Sequence, residues 1–280
     1  TRIEQGKSIG IVGKSLFGDK QLAEFRAAEL AHLVSLYRPR VVLVDHLPQG
    51  KHKELIPALS ISRGSDIHWV LGVRGVVGAV PQAGSALAAQ LFAEHYHGLL
   101  WYGDSRVLGT SHCAQLERQY QLVPVECGYV VRLAEFALGN EVAPPAGPPL
   151  AGTISIPWLG ENTLGFLRVL ASALKKIPAS FGLWQLFIDT TSSLAVGREI
   201  TRMFEPLDNC RIEPPGSTYV AALRHSKTAV IYGGYNSLMD VIHTGIPALV
   251  VLREMQDAEQ QIHLRQLQRV AGKGLTTVLE

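Results

Sequence analysis

The sequence predicts an α/β protein made of two doubly wound domains, and three observations carry that reading. Apolar runs of strand length alternate with amphipathic runs of helix length in both halves of the chain. A proline-dense segment, Asn140–Pro149 (NEVAPPAGPP), separates the halves and resists both helix and sheet. Thr228–Leu252 spells one full unit of such a fold: strand, glycine turn, short helix, turn, strand. The domains are accordingly placed at 1–139 and 150–280, with 140–149 as the linker.

Thr1–Gly18 is polar and weakly patterned, and no strand is expected there. Gly6-Lys7-Ser8 and Gly13-Lys14-Ser15 look like the tail of a P-loop, but neither has the required upstream glycine after a strand, so a P-loop is set aside. Leu22, Phe25, Leu30, Leu33 and Val34 recur at helical spacing and predict a helix over Lys20–Tyr37, ended by Pro39. Val41–Val44 reads as an apolar strand opening into the polar loop Asp45–Gly50. A helix begins over Leu55–Leu59, a strand covers Trp69–Val73, and an alanine-rich helix covers Ala83–Tyr96. His95 and His97 are two apart and would not share a helix face, which argues against a metal site. Strand Gly98–Tyr102, a short helix around Gln115–Tyr120 and a strand-like Val125–Val131 complete this half.

After the linker the alternation restarts. Strands are expected at Thr153–Ile156, Gln185–Asp189 and near Arg211–Glu213. Helices are expected at Leu164–Lys176, Leu194–Phe204 and Tyr219–His225. Strand Thr228–Tyr232 then runs into Gly233-Gly234, where the backbone can turn sharply. Ser237 starts a helix with Leu238, Val241 and Ile242 on its apolar face, and Gly245 and Pro247 stop it. Ala248–Leu252 is the next strand, and a final amphipathic helix runs from Asp257 to about Val270. A helix that starts just past the carboxyl end of a parallel strand aims N–H groups and a positive dipole end at one point. A phosphate-bearing ligand is therefore expected at Gly233–Ser237.

Composition excludes some classes. Hydrophobic residues make up 47% of the 280 and charged residues 18%, with a formal net charge of +2. Such a balance, with no Lys/Arg block, does not imply nucleic acid. No apolar run reaches membrane-spanning length and no signal peptide is visible; no strong basic amphipathic helix is seen either, and association with a membrane surface is left open. Cys113, Cys127 and Cys210 are scattered without metal spacing, as expected of thiols in a reducing cytoplasm.

The stretch GGYNSLMDVIHTGIPALVVLREMQDAEQQ, from Gly233 to Gln261, resembles the donor-site signature of GT-B glycosyltransferases. It is similar to the family that includes the peptidoglycan N-acetylglucosaminyltransferase, and within it to a group of bacterial glycosyltransferases. Arg38–Gly50, Val70–Arg74, Tyr102–Val107 and Gly128–Val130 resemble that group in order and spacing. The resemblance implies two Rossmann-like domains facing a cleft and a nucleotide-sugar held mainly by the second. Gly233, Gly234, Asn236 and Ser237 match the turn that holds the diphosphate, and Asp240 matches the acid that binds the ribose hydroxyls. Gln260 and Gln261 match the pair at the donor sugar. Arg253 is placed where it could meet phosphate, Gly160, Asn162 and Thr163 on the phosphate loop, and Pro215, Gly216 and Ser217 where the family holds the base.

The residues also allow plainer readings. Ser237 and Asp240 spell a capping box that needs no ligand, and Arg253 reads equally as a solvated rim charge. Asp45 and His46 are either a polar loop or the base that deprotonates the acceptor. The family's opening strand and glycine-rich, His-containing loop have no match, so the N-terminal domain reads as incomplete against the family's. The activity implied is inverting transfer of a sugar from a nucleoside diphosphate to an acceptor hydroxyl, with no metal and no cofactor beyond the donor. The alternatives are a degenerate member that binds a nucleotide-sugar or partner without transferring, and a nucleotide-sugar hydrolase. The sugar, base, acceptor and oligomeric state are left open.

Overall fold

The computed structural model describes residues 2–4, 7–9, 17–77, 83–131, 133, 150–160, 162–191, 193–253, 259–271 and 274–279. The expected linker, 140–149, lies outside them, as do Gly13–Ser15 and the expected helix start at Asp257. The chain forms two compact units, one of Val12–Val130 and one of Thr1–Ile11 with Val131–Glu280. Strands β1 (Arg2–Glu4) and β2 (Lys7–Ile9) form a small antiparallel pair where the sequence predicts no strand.

The Val12–Val130 unit is built on a parallel sheet of β3 (Val41–Asp45), β4 (His68–Arg74), β5 (Tyr96–Tyr102) and β6 (Val125–Glu126), in that order. Helices span Asp19–Tyr37, Ile56–Ile61, Ala86–His95, Ser105–Leu108 and Ser111–Tyr120. The first ends where Arg38 turns left-handed (φ 44°) and returns its N–H to Val34, ahead of Pro39. Trp69, Leu71, Val73, Leu99 and Trp101 form one core with Leu59, Leu91, Phe92 and Leu116 from the helices. Each buried indole keeps a partner: Trp69 donates to Ser62 Oγ and Trp101 to the Gly75 carbonyl, both at 2.9 Å. The alanine-rich helix stops at His95 and β5 begins at once, two residues ahead of the expected strand. Among the described residues β3 is an edge strand, and its Val41 and Leu43, on one face, stay 58% and 59% exposed.

The second unit carries a six-stranded parallel sheet in the order β12-β11-β10-β7-β8-β9. Its strands are β7 (Leu150–Ile156), β8 (Leu183–Ile188), β9 (Cys210–Glu213), β10 (Ser226–Tyr232), β11 (Ala248–Leu252) and β12 (Leu275–Leu279). Helices span Thr163–Leu174, Leu194–Phe204, Thr218–Arg224, Tyr235–Thr244 and Glu259–Ala271. Strand β12 was not expected from the sequence. The chain steps outward from β7 to β8 and β9, then returns to the other side of β7 as β10. The strand order therefore reverses between β7 and β10, and open α/β sheets bind ligands at the carboxyl ends beside such a reversal. Inside the sheet that junction is held by a buried hydrogen bond between Thr153 and Ser226, 2.8 Å between hydroxyl oxygens. Ile154, Ile156, Leu186, Ile188, Val230 and Val251 form the core with Leu167, Leu174, Ile200 and Phe204.

Two helical glycines in this unit stand in opposite surroundings. A Cβ on Gly197 would lie 2.0 Å from the Thr190 carbonyl oxygen, whereas one on Gly165 meets nothing within 4 Å. Gly197→Ala is expected to destabilise the fold by about 1–3 kcal/mol through overpacking. Gly165→Ala should stabilise it by up to about 1 kcal/mol through helix propensity. Denaturant midpoints of the two variants check both signs.

Candidate functional site

The register of the second sheet lines up its strand exits. Ile156 pairs with Ile188, Val230 with Ile154, Tyr232 with Val251, and Phe187 with Glu213. One step past that level come Pro157, Asp189, Pro215, Gly233 and Leu252, so five loops leave along one rim. The helix after β10 begins at Tyr235 with Gly234 as its N-cap, two residues earlier than expected, and no side chain caps it. Ser237 is thus an interior residue of the first turn, and the capping-box reading with Asp240 is removed. The helix after β7 begins at Thr163, and Asn162 caps it by position without a side-chain bond. Two adjacent helix N-termini flank the reversal, each with a first turn of N–H groups that no side-chain cap covers.

Gly233 and Gly234 do different work. A Cβ on Gly233 would lie 2.7 Å from Leu252 Cδ2 and 3.5 Å from Gln260 Oε1, so the turn packs against β11 and the last helix. Gly234 faces open space. Gln260 is thereby brought to the glycine turn. Gln261 is half-buried in the same helical turn, and its neighbouring position points it around the helix to another side. Tyr235 stacks on the buried His263, ring centroids 5.9 Å apart, which joins the two helices beside the turn.

Arg253 is 7% exposed, so it is not a rim charge. Its guanidinium donates to the Trp158 carbonyl at 2.8 Å and to Thr163 Oγ1 at 3.1 Å. It lies 4.0 Å from the centroid of the Tyr232 ring and 5.3 Å from that of Trp158. Thr163 Oγ1 also accepts from the Gly160 N–H at 2.8 Å. Gly160 and Thr163 are therefore tied together, with Asn162 exposed between them. The indole N–H of Trp158 is buried without a partner among the described residues. Pro215, Gly216 and Ser217 are exposed at the end of β9, three strands or about 14 Å from β10.

Asp240, expected to hold the ribose hydroxyls, is 0% exposed on a helix where Leu238, Met239 and Val241 are buried with it.

In the other unit, Asp45 and His46 end β3 beside Arg74 and Tyr102, which end β4 and β5. Asp45 is engaged by Arg74, Oδ2 to Nη2 at 2.5 Å, in an exposed pair of small energetic weight. His46 sits at φ 73°, a left-handed conformation uncommon for a side-chain-bearing residue, and its N–H donates to the Gly72 carbonyl at 2.7 Å. The loop is anchored by the Tyr96 hydroxyl donating to the Pro48 carbonyl at 2.8 Å. His46 Nδ1 is buried without a partner among the described residues. Burial, then the charge of Arg74, hold the His46 pKa below the ordinary value, with Asp45 pulling the other way. The imidazole is therefore neutral at pH 7, the form a proton acceptor needs.

Other chemistries find little support. Among the described residues no cluster of three His, Cys, Asp or Glu could hold a metal ion, and no helix is long and apolar enough to cross a membrane. The three cysteines are unpaired thiols, and burial raises the pKa of each, that of Cys210 to about 12.

No protein-family model and no curated protein sequence matches this chain. Solved structures do match in fold. The Staphylococcus aureus MnaA–UDP co-structure superposes with a TM-score of 0.58 at 10% identity, covering 91% of this chain and 74% of that one. The glycosyltransferase SnogD from Streptomyces nogalater gives 0.54 at 15% identity, covering 96% and 69%. The spinosyn rhamnosyltransferase SpnG complexed with spinosyn aglycone gives 0.52 at 18%, covering 92% and 68%. At such identities the likeness shows the fold alone, and that fold is GT-B: two parallel-sheet α/β units.

A pH prediction follows from His46. Its folded pKa lies below its unfolded one, so the unfolded state takes up the extra proton as pH falls through about 6.5. Its contribution to stability is whole above that pH and shrinks below it. His46→Asn tolerates the left-handed backbone and should flatten the loss of unfolding free energy between about pH 7.5 and 5.5, as measured by denaturation at both.

Proposed function

We propose that this chain is a glycosyltransferase of the GT-B type that binds a nucleoside-diphosphate sugar at the carboxyl rim of its six-stranded sheet. The observation that carries the proposal is the meeting of two helix N-termini and the buried Arg253 at the reversal between β7 and β10. The diphosphate lies against Gly233, Gly234, Asn236, Ser237 and the loop of Gly160, Asn162 and Thr163, with Gln260 and Gln261 toward the sugar. The base lies toward Pro215–Ser217. The similarity to MnaA in complex with UDP and to two glycosyltransferases supports this reading. The resemblance to the peptidoglycan N-acetylglucosaminyltransferase family makes transfer of a hexose with inversion the finer reading.

In that reaction the acceptor oxygen attacks the anomeric carbon while the bond from that carbon to the diphosphate oxygen breaks. The electron pair leaves with the diphosphate, and the acceptor's proton passes to His46. A single displacement inverts the anomeric centre. The N–H groups of the two helices face the charge that grows on the leaving diphosphate.

Gly234→Ala tests the donor site without disturbing the fold, because the added methyl meets nothing within 4 Å. The expected result is an unchanged unfolding midpoint with nucleotide binding at least about tenfold weaker by calorimetry, since a phosphate needs close backbone approach. Undiminished binding of UDP, TDP or GDP by this variant would remove the site. His46→Asn should retain donor binding and lose about 10²–10⁴-fold in turnover. Free sugar released from the donor without acceptor would instead assign hydrolysis.

A further inference from the structure

We propose that the Val12–Val130 unit carries a pocket for a small amphipathic anion, its acidic head held by Arg38 and Arg40 and its apolar body laid on Val34, Ile61 and Ile67. The pocket lies where the Asp19–Tyr37 and Ile56–Ile61 helices end and β3 and β4 begin. Asp45 and His46 leave the other end of β3, the length of the strand or about 15 Å away. The pocket is therefore separate from the loop that holds them. Its volume, about 610 Å³, is that of a small-molecule site. Ile61 stays 52% exposed beside it and has water to lose to an apolar ligand.

The backbone fixes both cations. Arg38 sits at φ 44°, the left-handed conformation that glycine adopts at least cost after a helix. A long side chain kept in so unfavourable a conformation points to a use for that side chain. Pro39 follows with a φ set by its ring. The Arg40 carbonyl then accepts from the His68 N–H at 2.9 Å, one step before the β3–β4 pairing begins. Neither guanidinium makes a hydrogen bond or ion pair among the described residues. The helix ends do not require them as caps. The Arg38 N–H already returns to the Val34 carbonyl at 3.0 Å, and the Ser62 N–H to the Ala58 carbonyl at 3.2 Å. The Ser62 hydroxyl is engaged as well, accepting from the Trp69 indole and donating to the Leu59 carbonyl, and the Ser65 hydroxyl donates to the Ser62 carbonyl. The charged groups of the lining are the two arginines and Asp66, which leave one net positive charge. That charge matches one acidic head, and a guanidinium fork fits the oxygens of a carboxylate or a phosphate.

The test titrates octanoate and octyl phosphate into the whole chain by calorimetry, below their micelle-forming concentrations, with octanol and octylammonium as uncharged and cationic controls. Wild type should bind at least one of the anions at a single site, about tenfold or more tighter than either control. Tighter binding of octyl phosphate assigns a phosphate ester, and tighter binding of octanoate a carboxylic acid. Arg40→Gln should weaken the anion about tenfold with an unchanged unfolding midpoint. Arg38→Gly, which relieves the left-handed strain, should weaken it as much with a midpoint at or above that of wild type. The double variant should bind the anion no better than the controls. No binding by wild type, binding that octanol matches, or binding that survives in the double variant overturns the site. A lower midpoint with undiminished binding in Arg40→Gln also overturns it, by making that arginine a plain charge at a helix end.

Discussion

A buried guanidinium keeps its charge at any working pH, so the fold around it must answer that charge. Arg253 sets this constraint here. Its position after β11 lets it reach across β10 to the loop after β7, so one side chain crosses the point where the strand order reverses. Its hydrogen bonds to Trp158 and Thr163 and its stacking on Tyr232 satisfy much of the group. The same contacts fix the phosphate loop against the neighbouring strand. The cation is thus both a brace for the rim and a positive charge a few ångströms behind it.

Much of the fold was legible because parallel strands buried on both faces read as continuous apolar runs. Val250, Val251 and Leu252, or Leu186, Phe187 and Ile188, admit little else. The boundaries were less legible where two elements abut, as at His95 and Tyr96, because no polar punctuation separates them. Strand β12 (LTTVL) was missed because a five-residue run with two adjacent threonines at its centre lacks the apolar density of a central strand. β3 shows the reverse case: Val41–Val44 is apolar throughout, yet Val41 and Leu43, alternate residues on one face, stay exposed.

The candidate site was legible by spacing and illegible by direction. Gly233 and Gly234 were found together, but only the surrounding atoms separate the packing glycine from the open one. Ser237 and Asp240 matched a pattern that two readings could share, and the start of the helix at Tyr235 removed one of them. Arg253 gave no sign of burial because its aromatic partners lie about twenty and ninety-five positions away in sequence.

The charges at the rim match the proposed ligand. Each helix N-terminus acts as roughly half a positive charge and Arg253 as one more, giving about +2 at the reversal. The diphosphate of a nucleotide-sugar, with both ends esterified, carries about two negative charges, so the bound donor is balanced by the chain's own groups. During transfer a further negative charge grows on the departing oxygen. Fixed N–H dipoles already aimed at that oxygen gain strength as its charge grows and need no rearrangement, which is differential stabilisation of the transition state. The same argument ranks the residues. In the proposed reaction, groups that meet charge present throughout, such as Arg253, govern binding, while the first-turn N–H groups after Gly234 act on the step in which charge moves.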